Sequence, residues 1–310
     1  MALFNRAQRG MHNWLYLTPT GFGFARLRAK SGEMPLCLPQ SWHDETDPLQ
    51  HPERLADWLA QQTKGTVKIL LGEGYYQLLL VDVPDVPADE MEAALRLKAA
   101  ELLHYDLEDA SLAVILLPAQ AYHGRTRMAF VVATRKEPLR QWGLALAKHG
   151  LTLTSVDIDQ LQLRNLALRA SDQPQNGLLH LRDDHCQLLL IYQDELVLSR
   201  RFDIGYLDLG ADAEGDALVL EGQTDIQRDS LVLELRRTFD YYESQLGLGS
   251  INQLQLIGWP GTSGMIEDLG AKLGLRFNPI QLTDFISMPD APLPEALLPL
   301  AGAAFRGAAS

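Results

Sequence analysis

Apolar residues first crowd together in Trp14-Leu-Tyr-Leu and Phe22-Gly-Phe-Ala-Arg-Leu, on either side of the turn-prone Thr18-Pro-Thr-Gly21, so His12 to Lys30 reads as a hairpin. Pro52 suits a first helical position, with Leu55, Trp58 and Leu59 on one face, and Val67 to Leu71 and Tyr76 to Val81 come next as buried strands. Beyond Pro84 and Pro87, Met91, Leu95, Ala99 and Leu102 fall on one side of a helix predicted from Asp89 to Leu103. Strands at Leu112 to Leu117 and Arg127 to Ala133 come after it. Pro138 then opens a helix carrying Leu139, Trp142 and Leu146, which Gly150 ends, and Leu151 to Val156 is a strand. The helix-strand-strand-helix content of Val83 to Gly150 has the size of an inserted subdomain.

A helix over Asp159 to Arg169 leads into Ala170-Ser-Asp-Gln-Pro-Gln-Asn-Gly177, whose small polar residues predict a linker and a domain boundary. A second meander begins there, at Leu178 to Leu181, Cys186 to Tyr192 and Leu196 to Phe202, with turns at Asp183-Asp184 and Gln193-Asp194. Val232, Leu235, Phe239, Tyr242 and Leu246 mark a long helix ended by Gly247. A strand at Gln253 to Ile257 and a helix marked by Met265, Ile266, Leu269 and Leu273, ended by Gly274, complete the half. The pattern predicts two similar α/β halves.

Composition narrows the function. With 310 residues and 46% hydrophobic content the chain buries a sizeable core. Its 27 Lys and Arg against 40 Asp and Glu give a net charge of −13, which disfavours both nucleic acid and direct adhesion to anionic lipid. Cys37 and Cys186 lack metal or redox spacing and read as reduced, buried thiols of a cytoplasmic protein. No apolar run has membrane-spanning length, and Met1 to Gly10 precedes no signal core.

Candidate chemistry is sparse. Gly21-Phe-Gly23 lacks the Lys and helix start of a phosphate loop and reads as a twisted hairpin turn. Asp157 ends a strand ahead of a helix, where a carboxylate either orients a catalytic water or caps, and both roles stay open. His104, His123, His149 and His185 are scattered, so no metal site is expected. Gly261-Thr-Ser-Gly264 has the wrong spacing for a nucleophile elbow. The acidic stretch Asp208 to Asp216 reads as a solvated loop.

A strand meander leading into helices, repeated, with an insertion in the first half, is the chain order of the actin-like, duplicated ribonuclease-H-like ATPase fold. Val86-Pro-Ala-Asp-Glu-Met-Glu-Ala-Ala-Leu with Lys98-Ala-Ala-Glu-Leu-Leu resembles the helix entry of the PilM family of type IV pilus assembly proteins. Ala133-Thr-Arg-Lys-Glu-Pro-Leu, Ala147-Lys-His-Gly-Leu, Val156-Asp157, Leu233-Glu-Leu-Arg-Arg-Thr-Phe-Asp-Tyr-Tyr, Leu254-Gln-Leu-Ile-Gly-Trp-Pro-Gly261 and Ala301-Gly-Ala-Ala-Phe-Arg306 resemble later family segments in order. Within the family, the chain resembles the MshI-like proteins of mannose-sensitive haemagglutinin pilus operons.

The resemblance implies a first actin-like subdomain over 1–82, completed by 151–170 and 293–310, an inserted subdomain over 83–150, and a second domain over 171–292. It implies nucleotide loops at Thr18, Thr20 and Gly21, at Asp183 and Asp184, and at Gly258 and Gly261, all departing from the family pattern. The first hairpin, Tyr16-Leu-Thr-Pro-Thr-Gly21, has no acid, and Pro19 removes a backbone donor. In the second, Leu181 stands where the family has its Asp, and Trp259-Pro260 interrupts the adenosine loop. The resemblance further implies a non-enzymatic cytoplasmic scaffold, peripheral at the inner membrane, with no cofactor, no catalytic residue and no direct membrane insertion. Its implied partners are the tail of a bitopic PilN-like protein, held between the inserted subdomain and the rest of the first domain, and the pilus assembly ATPase complex. An active ATP- and magnesium-binding protein and a cytoplasmic domain of a type II secretion L-type protein are the alternatives.

Overall fold

The computed structural model describes residues 10–30, 32–87, 89–124, 126–211 and 221–306. Residues 1–9, where no signal core is read, residue 88 of the helix-entry motif and residues 212–216 of the acidic stretch lie outside the described residues. The chain divides into two units, the first comprising residues up to 116, 129–165 and from 282 onward, the second 117–128 and 166–281.

The first unit runs β1 (His12–Thr18), β2 (Gly21–Arg28), β3 (Leu36–Asp44), α1 (Pro52–Gln62), β4 (Gly65–Leu71), β5 (Gln77–Asp82), α2 (Met91–Ala100), β6 (Ala110–Leu116), β7 (Met128–Arg135), α3 (Lys136–Lys148), β8 (Leu151–Ile158) and the start of α4 (Asp159–Ala170). Its main sheet has the order β3-β2-β1-β4-β8, with antiparallel β1, β2 and β3 and parallel β1, β4 and β8. One face buries Leu15, Leu17, Phe22, Phe24, Val67, Ile69 and Leu71 against Leu55, Ala56 and Leu59 of α1 and Trp142, Ala145 and Leu146 of α3. Full burial of each large aliphatic there contributes about 1.5–3 kcal/mol. The Trp142 indole N–H donates to Leu49 O at 2.9 Å, so even its polar atom is satisfied.

Three features depart from the pattern reading. Strand β3 was not foreseen, because Pro39 interrupts it; the Pro sits on the sheet edge where the register slips between Phe24↔Ser41 and Ala25↔Pro39. Helix α3 starts at Lys136, ahead of Pro138, and lies on the main sheet, while the separate three-stranded sheet, β5-β7-β6, takes in β5 from before Val83. Leu95 and Ala99 of α2 pack on that small sheet against Val81, Ala129 and Val131, but Leu102 falls beyond the helix end and is 46% exposed.

The second unit holds the rest of α4, β9 (Gln175–Leu181), β10 (Cys186–Tyr192), β11 (Glu195–Phe202), α5 (Glu221–Tyr241), β12 (Gln253–Ile257), α6 (Ser263–Leu273) and β13 (Arg276–Pro279). Its sheet, β11-β10-β9-β12-β13, repeats the order and strand directions of the first. The predicted linker shortens to 171–174, since β9 begins at Gln175 and buried Asn176 donates through Nδ2 to Ala167 O at 2.8 Å. A π-helical turn, Tyr242–Leu246, prolongs α5 until Gly247 ends it at φ 69°. No described helix is long and apolar enough to cross a membrane.

Candidate functional site

The β1–β2 turn is built into its own unit. Its carbonyls are taken up in series: Glu45 N donates to Thr20 O at 3.1 Å, Asp47 N to Pro19 O at 2.9 Å and Gly72 N to Leu17 O at 2.7 Å. The Tyr75 hydroxyl lies 3.1 Å from Thr18 O and 2.8 Å from Asp47 Oδ1. Thr18 Oγ1 bonds within the turn, to Gly21 O at 3.2 Å, and meets Thr20 Oγ1 at 3.3 Å. Gly21 and Gly23 open β2 under Trp42 and Leu297, where a Cβ would sit 2.4 Å and 2.3 Å from side-chain carbons. Pro19 in turn fills the space over Gly74, 2.7 Å from where a Cβ would stand.

Behind the turn lies a buried carboxylate that sequence reasoning missed. Asp159 accepts from Tyr76 at 2.5 Å, Tyr16 at 3.0 Å and Glu73 N at 3.2 Å. Burial raises its carboxyl above the usual range against the pull of the two phenols, and burial also drives the Tyr76 phenol well above its ordinary value. The Tyr16 hydroxyl, at the end of β1, is therefore committed to an internal bond. Asp157 is occupied as well: Oδ1 accepts from Ile158 N at 2.9 Å and Oδ2 lies 3.3 Å from Arg306 Nη1.

In the second unit, the turn after β9 is held by Tyr206 N on Arg182 O at 2.7 Å and Leu207 N on Asp183 O at 3.3 Å. Gly205 lies so close beneath that a Cβ would come within 2.0 Å of Asp183 O. Leu181 is in the core, whereas the side chains of Asp183 and Asp184 are exposed and Asp184 pairs with His185. Gly258, at φ 82°, backs onto Leu181 O, leaving only 2.1 Å for a Cβ, and the Trp259 indole folds over Gly261 and donates to Thr262 O at 3.1 Å. The structure thus brings Gly258 to the second hairpin through the parallel pairing of Ile257 with His180.

A cavity of about 270 Å³ opens in the first unit beside strands β5 and β7 of the small sheet. Asp47 and Gln50 line it from the segment after β3, Tyr75, Tyr76 and Gln77 from the entry to β5, and Tyr105, Thr134 and Arg135 from the insertion. Thr134 Oγ1 ties the two sides together by donating to Tyr75 O at 2.8 Å. The Arg135 guanidinium stacks 4.4 Å over the Tyr105 ring. Two buried polar atoms here, Tyr105 Oη and Gln77 Oε1, have no partner among the described residues. Both residues line the cavity, and a buried polar atom without a partner costs free energy. The sequence signal was the adjacent pair Tyr75-Tyr76 between a glycine loop and a strand.

The fold has a precedent across its whole length. A chain of a PilM-PilN type IV pilus biogenesis complex superposes with TM-score 0.67 and 21% identity, covering 96% of this chain and 99% of that one. A Bacteroides thetaiotaomicron protein with an actin-like ATPase fold and unknown function gives TM-score 0.53 at 9% identity, over 96% and 97%. This chain has the actin-like ATPase fold. The cytoplasmic domain of EpsL, an inner membrane component of the type II secretion system of Vibrio cholerae, superposes with TM-score 0.49 at 13% identity, over 94% of each chain. No family model and no curated protein sequence matches. Within the actin-like fold of this chain each five-stranded sheet carries one of the two hairpins, and β5, β7 and β6 form a separate three-stranded sheet.

Proposed function

We propose that this chain is a PilM-like scaffold of a type IV pilus inner-membrane assembly platform, of the mannose-sensitive haemagglutinin type, and that its nucleotide loops are degenerate. It holds the cytoplasmic tail of a bitopic PilN-like protein and through it works beside the pilus assembly ATPase. The observation that carries this reading is the likeness, end to end, to a chain of a PilM-PilN complex. The cavity beside the small sheet of the first unit supports it, because Gln77 and Tyr105 line it with an acceptor and a donor that lack partners among the described residues and Arg135 stacked on Tyr105 offers a flat wall.

Charge fits the same partner. Cytoplasmic tails beside membrane spans are rich in Lys and Arg, and a chain of net charge −13 is repelled by anionic lipid while it steers a basic segment inward. The scaffold therefore reaches the membrane only through the tail. Its degenerate loops are explained by the contacts that fill them: Pro19 packed on Gly74, Tyr16 spent on Asp159, and Leu181 in the core where a magnesium ligand is needed.

Co-sedimentation with membrane vesicles carrying the PilN-like protein tests this. The chain is expected to bind vesicles with the intact partner, more slowly as salt rises, and to stay free when the tail is deleted. Equal binding to tail-deleted vesicles contradicts the mechanism.

A further inference from the structure

Two cationic side chains converge on one buried indole in the first unit. Lys68 Nζ lies 5.3 Å from the Trp14 ring centroid and the Arg306 guanidinium 5.9 Å from the same ring, which is 1% exposed. Strand pairing sets Trp14 beside Lys68 and Lys68 beside Ser155, so β1, β4 and β8 present these side chains in a row on one face, with His12 two residues before Trp14 on that same face. One acid answers them among the described ion pairs: Asp157 meets Arg306 at 3.3 Å, and Arg306 also donates to Ser155 Oγ at 3.1 Å. Lys68 and His12 have no hydrogen-bond or ion-pair partner among the described residues.

Shielding Trp14 accounts for the aliphatic stems of Lys68 and Arg306, and a cation over a ring is worth about 0.5–1 kcal/mol near the surface. It does not account for His12, nor for a lysine that no carboxylate contacts directly among the described residues, in a chain with 40 acidic residues. The crowding is visible in their acidities. Burial and then Arg306 hold Lys68 below its ordinary range, with Asp157 opposing, and burial and then Lys68 lower His12.

We infer that His12, Lys68 and Arg306, with the Ser155 hydroxyl, form a binding site for a small phosphate-type oxyanion. An ammonium, a guanidinium fork, an imidazole and a hydroxyl supply donors from several directions, which a tetrahedral oxyanion accepts. The row from Trp14 to Ser155 spans two strand spacings, roughly 10 Å, the scale of a single phosphate group rather than a polymer.

The test is a calorimetric titration of the full chain with inorganic phosphate at constant ionic strength, chloride being exchanged for phosphate. Saturable binding is expected, weakened at least tenfold in Lys68→Gln, restored in Lys68→Arg and unchanged in Lys148→Gln, a surface lysine paired with Glu53. His12→Gln is a second variant that leaves Trp14 covered, and it too is expected to weaken binding. Phosphatidylglycerol vesicles serve as the lipid source of the same chemistry and are expected not to bind, given the net charge of −13. Lack of saturation, equal affinity in Lys68→Gln and His12→Gln to that of the unmodified chain, or binding to vesicles but not to free phosphate overturns the inference.

Discussion

The Tyr76 hydroxyl meets Asp159 Oδ1 at 2.5 Å, joining the floor of the first-unit cavity to the first turn of α4. Since Tyr16 holds the other carboxylate oxygen at 3.0 Å, this buried acid fastens β1, the entry to β5 and α4 together. Tyr76→Phe leaves a buried carboxylate short of a donor and is expected to cost about 1–3 kcal/mol. Urea denaturation measures it, and an unchanged midpoint removes the structural role given to this bond.

His180 gives the second unit a dependence on pH. Burial, with Arg182 and His185 nearby, lowers its imidazole from 6.5 to about 3, so the unfolded chain takes up the proton first. Its contribution to stability is fully present above pH 6.5 and is lost as pH falls toward 3. The expected slope from this one group is up to about 1.4 kcal/mol per pH unit. Denaturation curves at neutral pH and at about pH 5 are expected to converge in His180→Leu relative to the unmodified chain. An identical pH slope in both proteins shows that His180 is not the group responsible.

Leu95, 2% exposed, anchors α2 on the small sheet among Val81, Ala99, Ala129 and Val131. Leu95→Asp removes a buried aliphatic and strands a charge, so a loss of several kcal/mol is expected, of the order of 3–5. Thermal denaturation reads it, and an unaltered transition is incompatible with this packing.

On the proposed reading, nucleotide binding is negligible at millimolar magnesium, since Pro19 supplies no backbone donor and neither Tyr16 nor Leu181 supplies a carboxylate. Calorimetric titration with ATP and magnesium is expected to be flat. A micromolar dissociation constant shows the loops to be functional despite their sequence.

The repeated meander was legible because each strand is a compact apolar run bounded by turn residues, and Gly150, Gly247 and Gly274 each adopt the left-handed conformation that ends a helix. What the pattern does not specify is the destination of an apolar face. Trp142 and Leu146 announce a buried stripe on α3, yet nothing local says that the stripe meets the main sheet rather than the small one. Strand β3 escaped for a local reason, since Pro39 and its polar neighbours weaken the strand signal where an edge bulge accommodates them. The cavity was least legible of all. Gln50, Tyr75, Tyr105 and Arg135 come from separate segments, each unremarkable alone, and only the fold brings them to one space.

Tail capture is the claim on which the scaffold reading stands. A synthetic peptide of the PilN-like cytoplasmic tail, titrated calorimetrically into the full chain and into Tyr105→Ala, measures it directly. The predicted result is one site with a dissociation constant on the order of micromolar, about −8 kcal/mol, weakened at least tenfold in a Tyr105→Ala protein of unchanged melting temperature. No heat of binding with the unmodified chain, or equal affinity in the variant, contradicts it.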